Sequence, residues 1–203
     1  MENTSSREAI LAKVRRNKPG ATAMPDIDFL EKNVNGSLAK LSAMLDTIGG
    51  KLFQVNDWTE IVLTIRAQHP GAGTIYSPIP EVQHITGQIN QDEFDGHNLA
   101  NVEVGIVKAH FAVTENGAVW VTDDQLGNRA LPFICQHLAA VINEDEILPT
   151  MHEAYMRSAG HQYQYGAFIA GASKTADIEQ SLVLGAHGPR SMMVFVLGKG
   201  EAL

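Results

Sequence analysis

The chain has 203 residues, 44% hydrophobic and 19% charged, a balance that suits one folded core and excludes a disordered polymer. Its 23 acidic and 15 basic side chains give a formal charge of -8, which excludes the broad cationic surface that attracts nucleic acid yet leaves room for a local basic pocket. The lone cysteine, Cys135, excludes an internal disulfide and any iron–sulfur cluster or cysteine-rich zinc site built by this chain alone. Flanked by Phe133, Ile134 and Leu138, Cys135 reads as a small buried hydrophobe. The first residues carry no apolar stretch of signal-peptide length and no later run approaches a membrane span, so a cytoplasmic location is expected.

In chain order, Ser5 followed by Glu8 forms a capping-box pattern that opens a helix through Arg16, expected to dock by Ile10, Leu11 and Val14. Pro19, Gly20 and Pro25 mark a connector. Residues 1–25 therefore read as an N-terminal helix and linker, and residues 26–203 as one α/β domain. A second helix is predicted over Asp28–Ile48, with Leu38, Leu41, Leu45 and Ile48 at helical spacing and Gly49-Gly50 as its stop. A strand over Lys51–Val55, a helix capped by Asn56 or Asp57 and running to Gln68, and a strand over Thr74–Ser77 then alternate. That order argues for a parallel sheet covered by helices. Residues 77–91, with Pro78 and Pro80, read as a loop.

Strands are expected at Val102–Val107, His110–Val113 and Ala118–Thr122, the last two joined by an Asn116-Gly117 hairpin turn. Phe133–Ile142 reads as a buried strand. Asn143 reads as the cap of a helix that opens with Glu144, Asp145 and Glu146 and ends near Ser158. Further strands are predicted at Tyr165–Ala170 and Met192–Leu197.

Chemistry concentrates between Gly171 and Pro189. Gly171 permits a tight turn, and Ser173 or Thr175 can cap a following helix whose free N–H groups, with Lys174 alongside, favour an anion. Asp177 and Glu179 read as general bases, metal ligands or supports for neighbouring turns. His187, between Gly185 and Gly188, reads either as a turn residue bonding a local carbonyl or as a ligand-facing group. The remaining histidines show no metal-ligand spacing, and no metal is expected. Arg129 is a candidate clamp for carboxylate or phosphate, or a surface ion-pair residue.

The run Ser173-Lys-Thr-Ala-Asp-Ile-Glu179 followed by Val183-Leu-Gly-Ala-His-Gly-Pro189 resembles the C-terminal signature of the lactate-utilisation protein C family, or LUD domain. The resemblance extends through Glu115-Asn-Gly117 and Arg129-Ala-Leu-Pro132 to about Val102, roughly half the chain, and departs at Ala172, where the family usually has proline. It implies an open, mostly parallel α/β sheet with helices on both faces, similar to the sugar-phosphate isomerase and CoA transferase-like fold. It further implies a part in oxidising L-lactate to pyruvate beside iron–sulfur partner proteins, the clusters residing in those partners. Within the segment from Gly171 to Pro189, Gly171, Ser173, Lys174, Thr175 and Gly188 are the candidates to bind a small organic acid or phosphate-containing ligand, and Asp177, Glu179 and His187 the candidates for polar or acid–base roles. Thr114-Glu-Asn-Gly117 is similar to the motif in which CoA transferases place a catalytic glutamate, which supports an alternative reading as a CoA-transferase-like or sugar-phosphate-isomerase-like enzyme using Glu115; it also reads as a solvated hairpin glutamate. Homo-oligomerisation stays open.

Overall fold

The computed structural model describes residues 5–26, 35–86, 96–160, 162–178 and 181–198. Two compact units divide the chain, Met1–Asn33 and Val34–Leu203. In the first, helix α1 (Ser6–Arg16) starts with the expected capping box: Glu8 N–H donates to Ser5 Oγ and Ser5 N–H to Glu8 Oε2. Ile10, Leu11 and Val14 lie along this helix.

The second unit opens with α2 (Leu38–Ile48), whose Ser37 cap accepts from the Lys40 N–H at 3.2 Å. Residues 35–37 are not helical, so the described helix begins well after Asp28, which lies outside the described residues with the rest of 27–34. Gly49 closes α2 at φ 82°, a left-handed conformation suited to glycine. Strand β1 (Gly50–Val55), helix α3 (Trp58–Gln68, capped by Asp57) and strand β2 (Thr74–Tyr76) follow as predicted.

Strands β3 (Val102–Lys108), β4 (Phe111–Val113) and β5 (Val119–Thr122) come next, with Gly117 at φ 71° in the β4–β5 turn. Short helices α4 (Asp123–Leu126) and α5 (Leu131–Ile134) lead into β6 (His137–Asn143). The predicted strand Phe133–Ile142 is therefore half right. Pro132 sits in the first turn of α5, where its missing N–H costs nothing, and Phe133 is 43% exposed. Asn143 caps no helix. Residues Glu144–Glu146 make one 3-10 turn, β7 (Ile147–Leu148) follows, and α6 (Met151–Ser158) starts at Thr150, whose hydroxyl accepts from the Glu153 N–H. The chain continues through β8 (Gly166–Ile169), β9 (Lys174–Ile178), β10 (Ser181–Leu184) and β11 (Ser191–Leu197).

Five strands form a sheet in the order β1-β11-β6-β3-β2, and each neighbouring pair is parallel. Both faces of this sheet are apolar, as a parallel sheet requires. Ile106, Val141 and Phe195 pack with Ile61 and Ile65 of α3 on one face. Leu138, Ile142 and Val194 pack with Leu41 and Leu45 of α2, Leu131 of α5 and Val119 and Val121 of β5 on the other. Each fully buried leucine or isoleucine contributes about 1.5–3 kcal/mol relative to exposure. A second sheet, β7-β4-β5-β8, uses its remaining face to bury Phe111 and Trp120 against Ala154 of α6 and Phe168. Strands β9 and β10 form a separate antiparallel pair. The architecture is thus an open α/β sheet with helices on both faces, extended by a small mixed sheet.

Candidate functional site

The two C-terminal turns singled out in the sequence do fold against each other. Ser173 N–H donates to Pro189 O at 2.8 Å, and Gly185 N–H donates to Ser173 O at 3.0 Å. A Cβ on Gly188 would come within 3.1 Å of Ser173 Cβ, so the glycine allows this approach. Gly171, at φ 71°, turns where a side chain would meet the Ile48 carbonyl. The residues after it, however, form strand β9 rather than a helix: Lys174 pairs with Leu184 and Thr175 with Val183. Their amides belong to a hairpin, so the anion-binding helix start expected from Ser173 and Thr175 does not form. Lys174 extends its ammonium group to Gly49 at the C-terminus of α2, where a cation suits the helix dipole. Asp177 lies in β9, Glu179 lies outside the described residues, and His187 is exposed on the second turn.

Arg129 occupies a different place. It borders a cleft of about 500 Å³ lined by Asp123, Gly127, Asn128, Arg129 and Gln164. Its Nη2 donates to Asp123 Oδ2 at 3.1 Å and to Gln164 Oε1 at 3.2 Å, while the guanidinium lies 5.6 Å from the centre of the Tyr165 ring. Partial burial pushes the Asp123 carboxyl up. Hydrogen bonds from Arg129, from the Tyr165 N–H and from its own N–H, with the Arg129 charge, outweigh that and hold it below the ordinary carboxylate range. The cleft wall turns at Gly127, which has φ 64° and ψ -56°, with the Asn128 N–H bonded back to Leu126 O at 2.6 Å. A Cβ there would sit 2.9 Å from Pro78 Cβ. Only glycine tolerates this conformation without strain.

Sequence spacing missed two histidine arrangements. His110 Nε2 lies 2.5 Å from Thr122 Oγ1, Thr122 in turn donates to Asp124, and His110 Nδ1 lies 3.2 Å from Gln125 Nε2. His110 and Thr122 flank the β4–β5 hairpin, whose register pairs Phe111 with Trp120 and so leaves the two side chains off a direct cross-strand pair that counting from the turn would find. At the other end of the parallel sheet, His69 and His137 stack with ring centroids 3.9 Å apart, and His137 Nδ1 lies 2.7 Å from Ser191 Oγ. Burial lowers both pKa values; Lys51 adds to the effect at His69, His69 and Arg190 add to it at His137, and Glu103 opposes it at both. No sequence pattern links residues so far apart.

Glu115 projects from the β4–β5 turn, and its Oε2 accepts the Met151 N–H at 2.7 Å, satisfying a free donor at the start of α6. Cys135 is 1% exposed, and burial pushes its thiol up to about 12. Among the described residues no group of three or more His, Cys, Asp or Glu is placed to hold a metal ion, and no helix is long and apolar enough to cross a membrane.

A five-stranded parallel sheet with helices on both faces and a polar cleft beside its second sheet defines an open α/β protein. Residues 79–197 match the LUD domain, and the chain belongs to that family. It is 35% identical over 92 residues to lactate utilization protein C of Deinococcus radiodurans, covering 43% of this chain and 42% of the relative. It is 30% identical over 100 residues to lactate utilization protein C of Anoxybacillus flavithermus, covering 49% and 44%. The chain thus spans less than half the length of these curated relatives. Its fold is similar to the crystal structure of a DUF162 family protein from Deinococcus radiodurans, with a TM-score of 0.53 at 18% identity over 79% of this chain and 96% of that one.

Proposed function

We propose that this chain is a cytoplasmic lactate-utilisation protein, the cluster-free subunit of a system that oxidises L-lactate to pyruvate together with iron–sulfur partner proteins, and that it binds a small anionic ligand. The observation that carries this reading is its similarity to lactate utilization protein C of several bacteria. The chemistry of the chain agrees. Oxidation of lactate releases two electrons, and this chain's single thiol is buried and far from ionised at neutral pH, unsuited to ligating a cluster that would take them. On this reading the iron–sulfur clusters sit in the partners, and this subunit contributes binding and positioning.

Deleting the gene and growing cells on L-lactate as sole carbon source tests the reading. Growth should fail and return when the gene is restored. Undiminished growth, in a strain with no second lactate-oxidising system, removes it.

A further inference from the structure

The cleft beside Arg129 has a donor and acceptor inventory that selects its ligand. Both Asp123 oxygens are engaged, Oδ2 by Arg129 and Oδ1 by the Tyr165 N–H. Asn128 Oδ1 accepts from the Ala130 N–H at 2.9 Å, and Gln164 Oε1 accepts from Arg129. Each of these side-chain oxygens thus already accepts one hydrogen bond from the protein. Among the described residues the donors are less engaged: both Arg129 bonds leave from Nη2, and the amide NH₂ groups of Asn128 and Gln164 carry no hydrogen bond. A guanidinium has donors on all its nitrogens, so Nη1 and Nε remain, on a side chain 51% exposed. Tyr165 beneath the guanidinium and Asp123 beside it keep the group in place before any ligand arrives.

A cleft whose free groups include a guanidinium edge and two amide NH₂ groups fits an oxygen-rich anion. We infer that it binds a small carboxylic acid with a hydroxyl or keto oxygen next to the carboxylate. Arg129 Nη1 takes the carboxylate, and the Asn128 and Gln164 amides take the adjacent oxygen. The choice of acid rests on the lactate reading above; the site itself rests on the geometry. Asp123 is a positioning residue, since its carboxylate acts through Arg129 rather than on the acid.

The test is titration of the full chain with L-lactate, pyruvate, propionate and inorganic phosphate, followed by calorimetry and by the Arg Nε–Hε resonances in NMR. Lactate or pyruvate should bind and shift the Arg129 resonance. Propionate, which lacks the second oxygen, should bind about tenfold more weakly, the scale of one well-placed polar contact. Arg129→Gln should abolish binding, and Gln164→Ala, which leaves the guanidinium and its Asp123 partner intact, should weaken it about tenfold while the circular dichroism spectrum stays unchanged. Equal binding of propionate, a preference for phosphate, undiminished binding by a folded Gln164→Ala chain, or no binding of either acid to the wild-type chain overturns the assignment. A chain that binds at the cleft yet is dispensable for growth on lactate sinks the metabolic reading and leaves the cleft standing; a chain that is required for growth yet binds neither acid does the reverse.

Discussion

The Glu115 carboxylate and the Met151 N–H, 36 positions apart in sequence, are joined by a 2.7 Å hydrogen bond that ties the β4–β5 turn to the first turn of α6. This bond gives Glu115 a structural use. Replacing it with Ala should cost about 1 kcal/mol of stability, as for loss of a helix cap, read as a lower urea midpoint. Incubation with acyl-CoA followed by hydroxylamine should leave Glu115 unmodified in mass spectra. A trapped adduct would instead make the residue a nucleophile.

The stacked imidazoles of His69 and His137 make stability depend on pH. Their folded pKa values lie below the ordinary 6.5, so the unfolded chain takes up protons first as pH falls. Stability is fully present above about pH 6.5 and declines below it, until the folded-state values are passed. The melting temperature should therefore drop between about pH 7 and about pH 5, and His69→Phe, which keeps a ring against His137 without a proton site, should flatten that drop. An unchanged slope in the variant would place the acid sensitivity elsewhere.

Gly171 faces the Ile48 carbonyl, which a Cβ would approach to 2.6 Å, and its φ is 71°. Gly171→Ala should destabilise the chain by about 1–3 kcal/mol, measured by urea denaturation. Gly20→Ala is the control, because nothing lies within 4 Å of a Cβ there.

Cys135 should be inert in the folded chain. With its thiol pushed to about 12, on the order of one thiol in ten thousand is ionised at pH 8, before burial further blocks access. Disulfide reagents should label it only in denaturant, and prompt labelling of the native chain would contradict the burial.

Much of the fold was legible because local signals agreed with the final packing. The Ser5–Glu8 box, the Asp57 cap, the Gly49 stop and the alternation from β1 to β2 depend on neighbours a few residues away. The misread segments were those that tertiary contacts decide. Acidic residues 144–146 carry a good helix-opening composition, yet β7 pairs with β4 immediately afterwards and interrupts any helix. Ser173 and Thr175 look like caps, but Thr175 pairs with Val183 across a hairpin. At the site, Arg129 stood out as a residue type able to grip an anion. Its partners Asp123 and Gln164 converge only because β5 and β8 are neighbours in the second sheet, a pairing that no local pattern encodes.

Strand β11 lies between β1 and β6, so β1 meets its described sheet neighbour only when β11 has emerged. During translation β1 thus waits for a neighbour made much later, and the zipping joins residues as far apart in sequence as Gly50 and Met192. Such an order favours slow, late completion, and it exposes the apolar edges of β1 and β6 to chaperones in the interval.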